Sequence, residues 1–129
     1  MKSVAIAIIM RENRVFVARR ANIEKLLGYW EFPGGKVEEG ETLQQCLDRE
    51  LNEELGIITK SGEVITKTIF EYEHGAFEIV ALKCEIISGD IELRVHDKIE
   101  WVEVDRLLEL NLLPADVEIA EYLITNSKY

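Results

Sequence analysis

The sequence predicts a mixed α/β domain, on three observations. Short apolar runs rich in Val and Ile recur at Val4–Met10, Val64–Phe70, Ala76–Ile87 and Ile99–Val104. One long amphipathic segment, Thr42–Leu55, carries both a start and a stop signal for a helix. A second helix start stands at Pro114. Strands, one strong helix, further strands and a terminal helix are the order of a mixed α/β domain. The length, 129 residues, fits a single domain over 1–129, and neither an internal repeat nor a composition break divides it.

Taken in order, Val4–Met10 reads as a buried strand that ends at the charged turn Arg11-Glu12-Asn13-Arg14. Val15–Arg19 reads as its hairpin partner. Ala21–Tyr29 reads as a loop, after which Trp30-Glu31-Phe32 leads into Pro33-Gly34-Gly35. In Thr42–Leu55 the first residue and Gln45 form a capping box, and Gly56 follows the last apolar position as a stop. Val64–Phe70 and Ala76–Ile87 are β-branched strands, followed by the strand Ile99–Val104 and a short helix over Asp105–Leu110. The last helix begins near Pro114, whose missing N–H suits a first turn.

Fifteen Lys and Arg stand against 25 Asp and Glu, a net charge of −10. Nucleic-acid polymers require a basic footprint and are therefore not expected as partners. A phosphate ligand remains compatible, because a bound cation inverts the local field. An apolar content of 47% excludes a disordered or linker-like chain. The longest apolar run is seven residues, far short of a membrane span, and it lacks the flanks of an export signal. The expected address is the cytoplasm, with no membrane partner. Cys46 and Cys84 match neither a metal cluster nor a disulfide framework and are expected as buried, reduced core residues.

The helix Thr42–Leu55 carries the chemistry. With Leu43 at zero on a wheel of about 100° per residue, Cys46, Leu47, Leu51 and Leu55 fall at roughly 300°, 40°, 80° and 120°. That is one core-facing stripe. Glu50, near 340°, and Glu54, near 20°, lie inside it, with Glu53 at its edge near 280°. Burying unpaired carboxylates is costly, and the three repel one another, so a cation belongs among them. Between Gly34 and Ile57 the only bases are Lys36 and Arg49, against seven acids: Glu38, Glu39, Glu41, Asp48, Glu50, Glu53 and Glu54. The balance favours a divalent metal over an internal ion-pair network, a solvated acidic face being the alternative. Oxygen-only ligands point to a hard ion, Mg2+ or Mn2+, which keeps positions open for water and substrate phosphates. Hydrolysis or transfer at phosphorus follows.

Over Gly35–Ile57 the sequence resembles the Nudix box at every defined position. Gly35 and Glu41 are spaced as the box requires ahead of Arg49-Glu50-Leu51-Asn52-Glu53-Glu54-Leu55-Gly56-Ile57. Arg19-Arg20, Trp30-Glu31-Phe32-Pro33-Gly34-Gly35 and Leu113-Pro114-Ala115-Asp116 look like the MutT branch, which includes oxidised-guanine nucleotide sanitisers and CTP or 5-methyl-dCTP pyrophosphohydrolases.

The resemblance implies a mixed sheet sandwiched between helices. It implies Mg2+- or Mn2+-dependent hydrolysis of nucleoside triphosphates to monophosphate and pyrophosphate, serving nucleotide-pool sanitising. Glu50, Glu53 and Glu54 become the metal ligands, joined by the Gly34 carbonyl. Glu50 becomes the general base, directly or through a water on the metal, and Glu41 with Arg49 an ion pair holding the helix against the loop. Gly34 and Gly35 let the backbone approach metal and phosphates. On the substrate side stand Arg20, Phe32 and Asp116. Arg20 suits phosphate or a base carbonyl, or else is a surface arginine. The Phe32 ring packs against the base or belongs to the core. Ionised Asp116 accepts hydrogen bonds from cytosine N4 or from a guanine or 8-oxoguanine edge, or else serves the first turn of the last helix.

One departure stands out. Where many relatives place a glutamate six residues before Trp101, this chain has Val95, followed by His96 and Asp97 as candidate replacements. The segment Glu71–Gly75, with Tyr72 and His74, is a further candidate border of the nucleotide. Hydrolysis of ADP-ribose or another diphosphate conjugate is the same-fold alternative, and a catalytically silent nucleotide-binding module the alternative of another class. The protein is expected as a monomer or, through exposed aromatics such as Tyr29 and Tyr129, a homodimer.

Overall fold

The computed structural model describes residues 1–21 and 28–126. Most of the expected loop Ala21–Tyr29, and Tyr129, lie outside the described residues. Strand β1 (Lys2–Ile8) is apolar on both faces, as a strand buried on both sides must be. It pairs in parallel with β7 (Gly75–Ser88) and antiparallel with β5 (Gly34–Lys36), and β6 (Ile58–Tyr72) closes the far side of β7. A second sheet joins β2 (Met10–Arg11), β3 (Arg14–Arg20) and β4 (Trp30–Glu31), with β8 (His96–Glu103) on the other edge of β3.

The apolar run expected as one strand therefore divides at Ile9. The Ile9 carbonyl accepts from the Phe16 N–H at 3.0 Å, where the chain passes from the first sheet to the second. The segment Val15–Arg19 is a hairpin partner of Met10–Arg11 only, and β1 pairs elsewhere. Strands β6 and β7 run longer than their β-branched centres. Strand β8 starts at His96, three residues before the expected Ile99, and the expected helix at 105–110 is a 3-10 segment, Val104–Glu109.

Helix α1 (Leu43–Leu55) forms as its signals require. Thr42 Oγ1 accepts from the Gln45 N–H, Gln45 Oε1 accepts from the Thr42 N–H, and Gly56 closes the last turn at φ 70°. Helix α2 (Pro114–Thr125) opens on its proline. The alternation of β1 splits two cores. Ile6 and Ile8 pack with Val15, Val17, Phe32 and the α2 residues Ile119 and Leu123. Ala5, Ala7 and Ile9 pack with Phe16 and the α1 residues Leu47, Leu51 and Leu55. Strands thus lie between one helix on each face, and the fold is the expected mixed α+β sandwich. Cys46 and Cys84 are buried and free. Among the described residues no helix is long and apolar enough to cross a membrane.

The strand β5, which no pattern announced, sets the site. A Cβ at Gly34 would stand 2.0 Å from the Ala5 carbonyl oxygen, so only glycine lets this strand lie against β1. That close pairing carries the backbone past the inner face of α1.

Candidate active site

Arg49 organises the acids of α1. Its Nε donates to Glu41 Oε2 at 2.6 Å and its Nη2 to Glu41 Oε1 at 3.0 Å, a two-bonded fork. Its Nη1 reaches Glu50 Oε1 at 3.0 Å and Glu53 Oε2 at 3.2 Å, and Nη2 lies 3.3 Å from Glu38. The Arg49 guanidinium, with the Glu38 N–H donating to the same carboxylate, holds Glu41 down to about 2. Arg49 is correspondingly raised, first by its bond to Glu41. The loop before the helix and the helix itself are tied by this one side chain.

Glu50 and Glu54 are each 17% exposed at the side chain, Glu53 57%, the order given by their angles to the apolar stripe. The backbone of the glycine loop lies directly on Glu50: a Cβ at Gly35 would sit 2.3 Å from its carboxyl carbon. Arg49 serves Glu50 and Glu53 but not Glu54. Among the described residues no Lys or Arg lies within ion-pair distance of the Glu54 carboxylate. Burial, then the neighbouring Glu50 and Glu31 carboxylates, push Glu54 well above the ordinary carboxylate range. Oxygen donors in this number, with one left uncompensated and a cradle that a single Cβ would fill, fit a hard divalent cation.

The substrate-side residues lie on other elements. Arg20, 41% exposed at its side chain, ends β3 and donates its Nε to Glu31 Oε1 at 3.1 Å. The Phe32 ring is 1% exposed and packs in the α2 core, so it presents no face to a base. Its backbone N–H instead donates to Asp116 Oδ2 at 2.9 Å. Asp116 is itself buried in the first turn of α2. A cavity of about 480 Å3 lies beside β5, lined by Val4, Lys36, Tyr72, Glu73, His74 and Phe77. Tyr72 meets Phe77 edge to face at 5.3 Å, and the Lys36 ammonium stands 5.3 Å over the Phe77 ring. A larger cavity of about 710 Å3, lined by Ile8, Arg11, Lys60, Lys83 and Trp101 among others, contains none of the helix glutamates.

Two buried polar residues of the strands lie beside Glu54: Glu31, to which the sequence pattern assigns no role, and His96, expected only as a candidate replacement for the position of Val95. Glu31 is 6% exposed and His96 3%, and His96 Nε2 lies 2.7 Å from Glu31 Oε2 and 3.9 Å from Glu54 Oε1. One ligand atom of each of Glu31, Glu54 and His96 falls within 4.8 Å of the others. Asp97 turns the other way and takes the Arg19 Nε at 2.8 Å. An acid between two aromatics in a strand was the readable signal for Glu31.

Burial raises the Asp116 carboxyl to about 7, the Phe32 N–H opposing and Glu31 adding to the rise. Its unfolded value lies near 4, so between about 4 and 7 the folded chain holds the extra proton. Stability is fully present below that window, falls as pH rises through it and levels off above. Asp116→Asn removes this dependence. Between pH 5 and pH 8, urea unfolding is expected to shift in favour of the variant relative to the parent by about 2–4 kcal/mol. A difference that does not change with pH would contradict the buried carboxyl.

Against known proteins, the NUDIX domain family matches residues 1–123. The chain is 34% identical over 121 residues to the CTP pyrophosphohydrolase of Escherichia coli, covering 94% of this chain and 90% of that one. It is 41% identical over 125 residues to the 8-oxo-dGTP diphosphatase of Haemophilus influenzae, covering 96% and 92%. Among solved structures, the E. coli ORF135 protein superposes with a TM-score of 0.86 at 32% identity, over 99% of this chain and 91% of that one. The MutT protein of Methanosarcina mazei superposes with a TM-score of 0.84 at 25% identity. A family match that spans the glycine loop, the acidic helix and both cores shows that the chain belongs to the NUDIX family.

Proposed function

We propose that the protein hydrolyses (deoxy)nucleoside triphosphates to the monophosphate and pyrophosphate, with Mg2+ or Mn2+, as a sanitiser of oxidised-guanine or cytosine nucleotides. The observation that carries the reading is Glu54, buried beside Glu50 and Glu31 with no Lys or Arg on it among the described residues. A polyphosphate site built on such a cluster needs a cation to join carboxylate to phosphate. Two relatives whose names state triphosphate substrates match nearly the whole chain, and their names support this substrate class.

In this reading Glu50, Glu53, Glu54 and the Gly34 carbonyl hold the cation, which when bound neutralises phosphate charge and acidifies water. Glu50, held by Arg49 and pressed by the Gly35 backbone, accepts the proton of the attacking water at a carboxylate oxygen. Attack at the β phosphorus breaks its bond to the α-phosphate oxygen, and the nucleoside monophosphate leaves. Arg49 and Glu41 hold the loop on the helix so that this geometry persists. Among the described residues Arg20 bonds through its Nε, and its Nη groups serve phosphate or a base carbonyl. Asp116, acceptor-only when ionised, accepts from the base, and the Phe32 backbone N–H holds it in place. The reading takes residues 1–129 as one domain. The buried free cysteines agree with a reducing, cytoplasmic compartment.

The test is a panel with Mg2+ of 8-oxo-dGTP, dGTP, CTP, dCTP, 5-methyl-dCTP and ADP-ribose, scoring monophosphate and pyrophosphate. Turnover of a modified guanine or a cytosine triphosphate is expected. Cleavage of ADP-ribose without any triphosphate turnover would overturn the substrate class and leave the metal helix standing.

A further inference from the structure

Glu31 and His96 join the two halves of the site, one bearing Arg20 and the other bearing Glu54. We propose that they are a positioning pair: His96 donates its Nε2–H to Glu31, which thereby holds Arg20 on the nucleotide side in register with Glu54 on the metal helix. The kinetic consequence rests on the triphosphate reading, whereas the placement rests on geometry alone.

The four groups come from β3, β4, β8 and α1 and form one chain of contacts. Arg20 Nε stands 3.1 Å from Glu31 Oε1, Glu31 Oε2 stands 2.7 Å from His96 Nε2, and His96 Nε2 stands 3.9 Å from Glu54 Oε1. The His96 side chain is wholly buried, so its ring cannot turn to water for partners. Its Nδ1 has no hydrogen-bond partner. A buried N–H without an acceptor is rarer and costlier than an unused lone pair, so the single proton of a neutral ring sits on Nε2, toward Glu31. A cation on Nε2 would drive that proton to Nδ1, where nothing among the described residues accepts it. His96 is therefore a donor to Glu31 rather than a ligand standing in for the position of Val95. Asp97 is held by Arg19 and does not stand in either. Removing the donor frees the Glu31 carboxylate and with it Arg20, while each of the proposed metal ligands stays in place.

Two variants and one spectrum test the pair in the full-length chain. His96→Phe deletes the donor, and His96→Gln offers an amide N–H near the place of Nε2. With the best triphosphate of the panel, His96→Phe is expected to lower kcat by about tenfold or more, because Arg20 is no longer held in place on the nucleotide. Mn2+ affinity, titrated by electron paramagnetic resonance with Mn2+ alone, is expected to stay within about twofold, and His96→Gln to recover most of kcat. Nitrogen-15 spectra of the parent histidines are expected to show His96 protonated at Nε2, without and with Mg2+. Unchanged kcat in a folded His96→Phe would overturn the pair. So would a loss of Mn2+ affinity of about tenfold in both variants, or a proton on Nδ1 when Mg2+ is added. If His96→Phe fails to fold, His96→Gln and the spectrum decide. A parent chain without triphosphate turnover would sink the proposed function, and the spectrum would still decide the tautomer.

Discussion

Glu53→Gln is expected to lower metal-dependent triphosphate turnover by about three orders of magnitude, about 4 kcal/mol of barrier, with the fold unchanged. The two halves of that expectation have separate causes. The Glu53 side chain is 57% exposed, and among the described residues its carboxylate pairs with Arg49 at 3.2 Å, an i,i+4 contact on a helix surface. Such pairs contribute under about 1 kcal/mol, and the amide oxygen of Gln still accepts from Arg49. Thermal melting of the variant should therefore match the parent. The charge lost is nonetheless one of three that face a shared cation in the proposed site, and an amide is a much poorer ligand for a hard ion. Turnover measured against Mg2+ concentration, beside a melting curve, separates these effects. Activity that survives in a folded Glu53→Gln would remove Glu53 from the metal site.

Gly35→Ala is expected to cost about a hundredfold in turnover for one added methyl group. The Cβ would stand 2.3 Å from the Glu50 carboxyl carbon and 2.6 Å from both of its oxygens. No real pair of atoms sits so close, so something must give, and the flexible end of Glu50 gives more readily than the β5 backbone paired to β1. The fold is thus spared and the site is not: Glu50 leaves its 3.0 Å contact with Arg49 and its place beside Glu54. A misplacement near 1 Å at a reacting group is enough for the expected loss. Steady-state kinetics with a melting curve check it. Near-parental kcat in the alanine variant would mean that the Glu50 position does not govern the reaction.

Local signals were legible where they act within one element. Thr42, Gln45 and Gly56 fixed α1 to the residue, and the angle of each glutamate to the apolar stripe ordered their burial. The signals that failed were those decided between elements. Nothing in Val4–Met10 says that the chain changes sheets at Ile9, because the pairing of β1 with β7 is set by residues more than seventy positions away. Strand β5 has three residues, two of them glycine, and exists because it fits against the Ala5 backbone. The Phe32 ring could be read as core or as base-stacking, and the packing of α2 over it decides for the core. Between Gly34 and Ile57 Lys36 and Arg49 are two bases against seven acids in the sequence, whereas the Arg49 guanidinium alone reaches Glu38, Glu41, Glu50 and Glu53, so among Glu50, Glu53 and Glu54 the uncompensated charge narrows to Glu54. His96 and Asp97 are sequence neighbours whose side chains alternate across β8, one inward to Glu31 and one outward to Arg19.

The proposed cation site on α1 consists of Glu50 and Glu54 on its inner face and Glu53 at the edge of that face. A titration of the parent chain with Mn2+, followed by electron paramagnetic resonance and repeated on Glu53→Gln and Glu54→Gln, tests it most directly. Saturable binding is expected in the parent, with each variant weakened by about tenfold or more. Equal Mn2+ binding by the parent and both variants would contradict it.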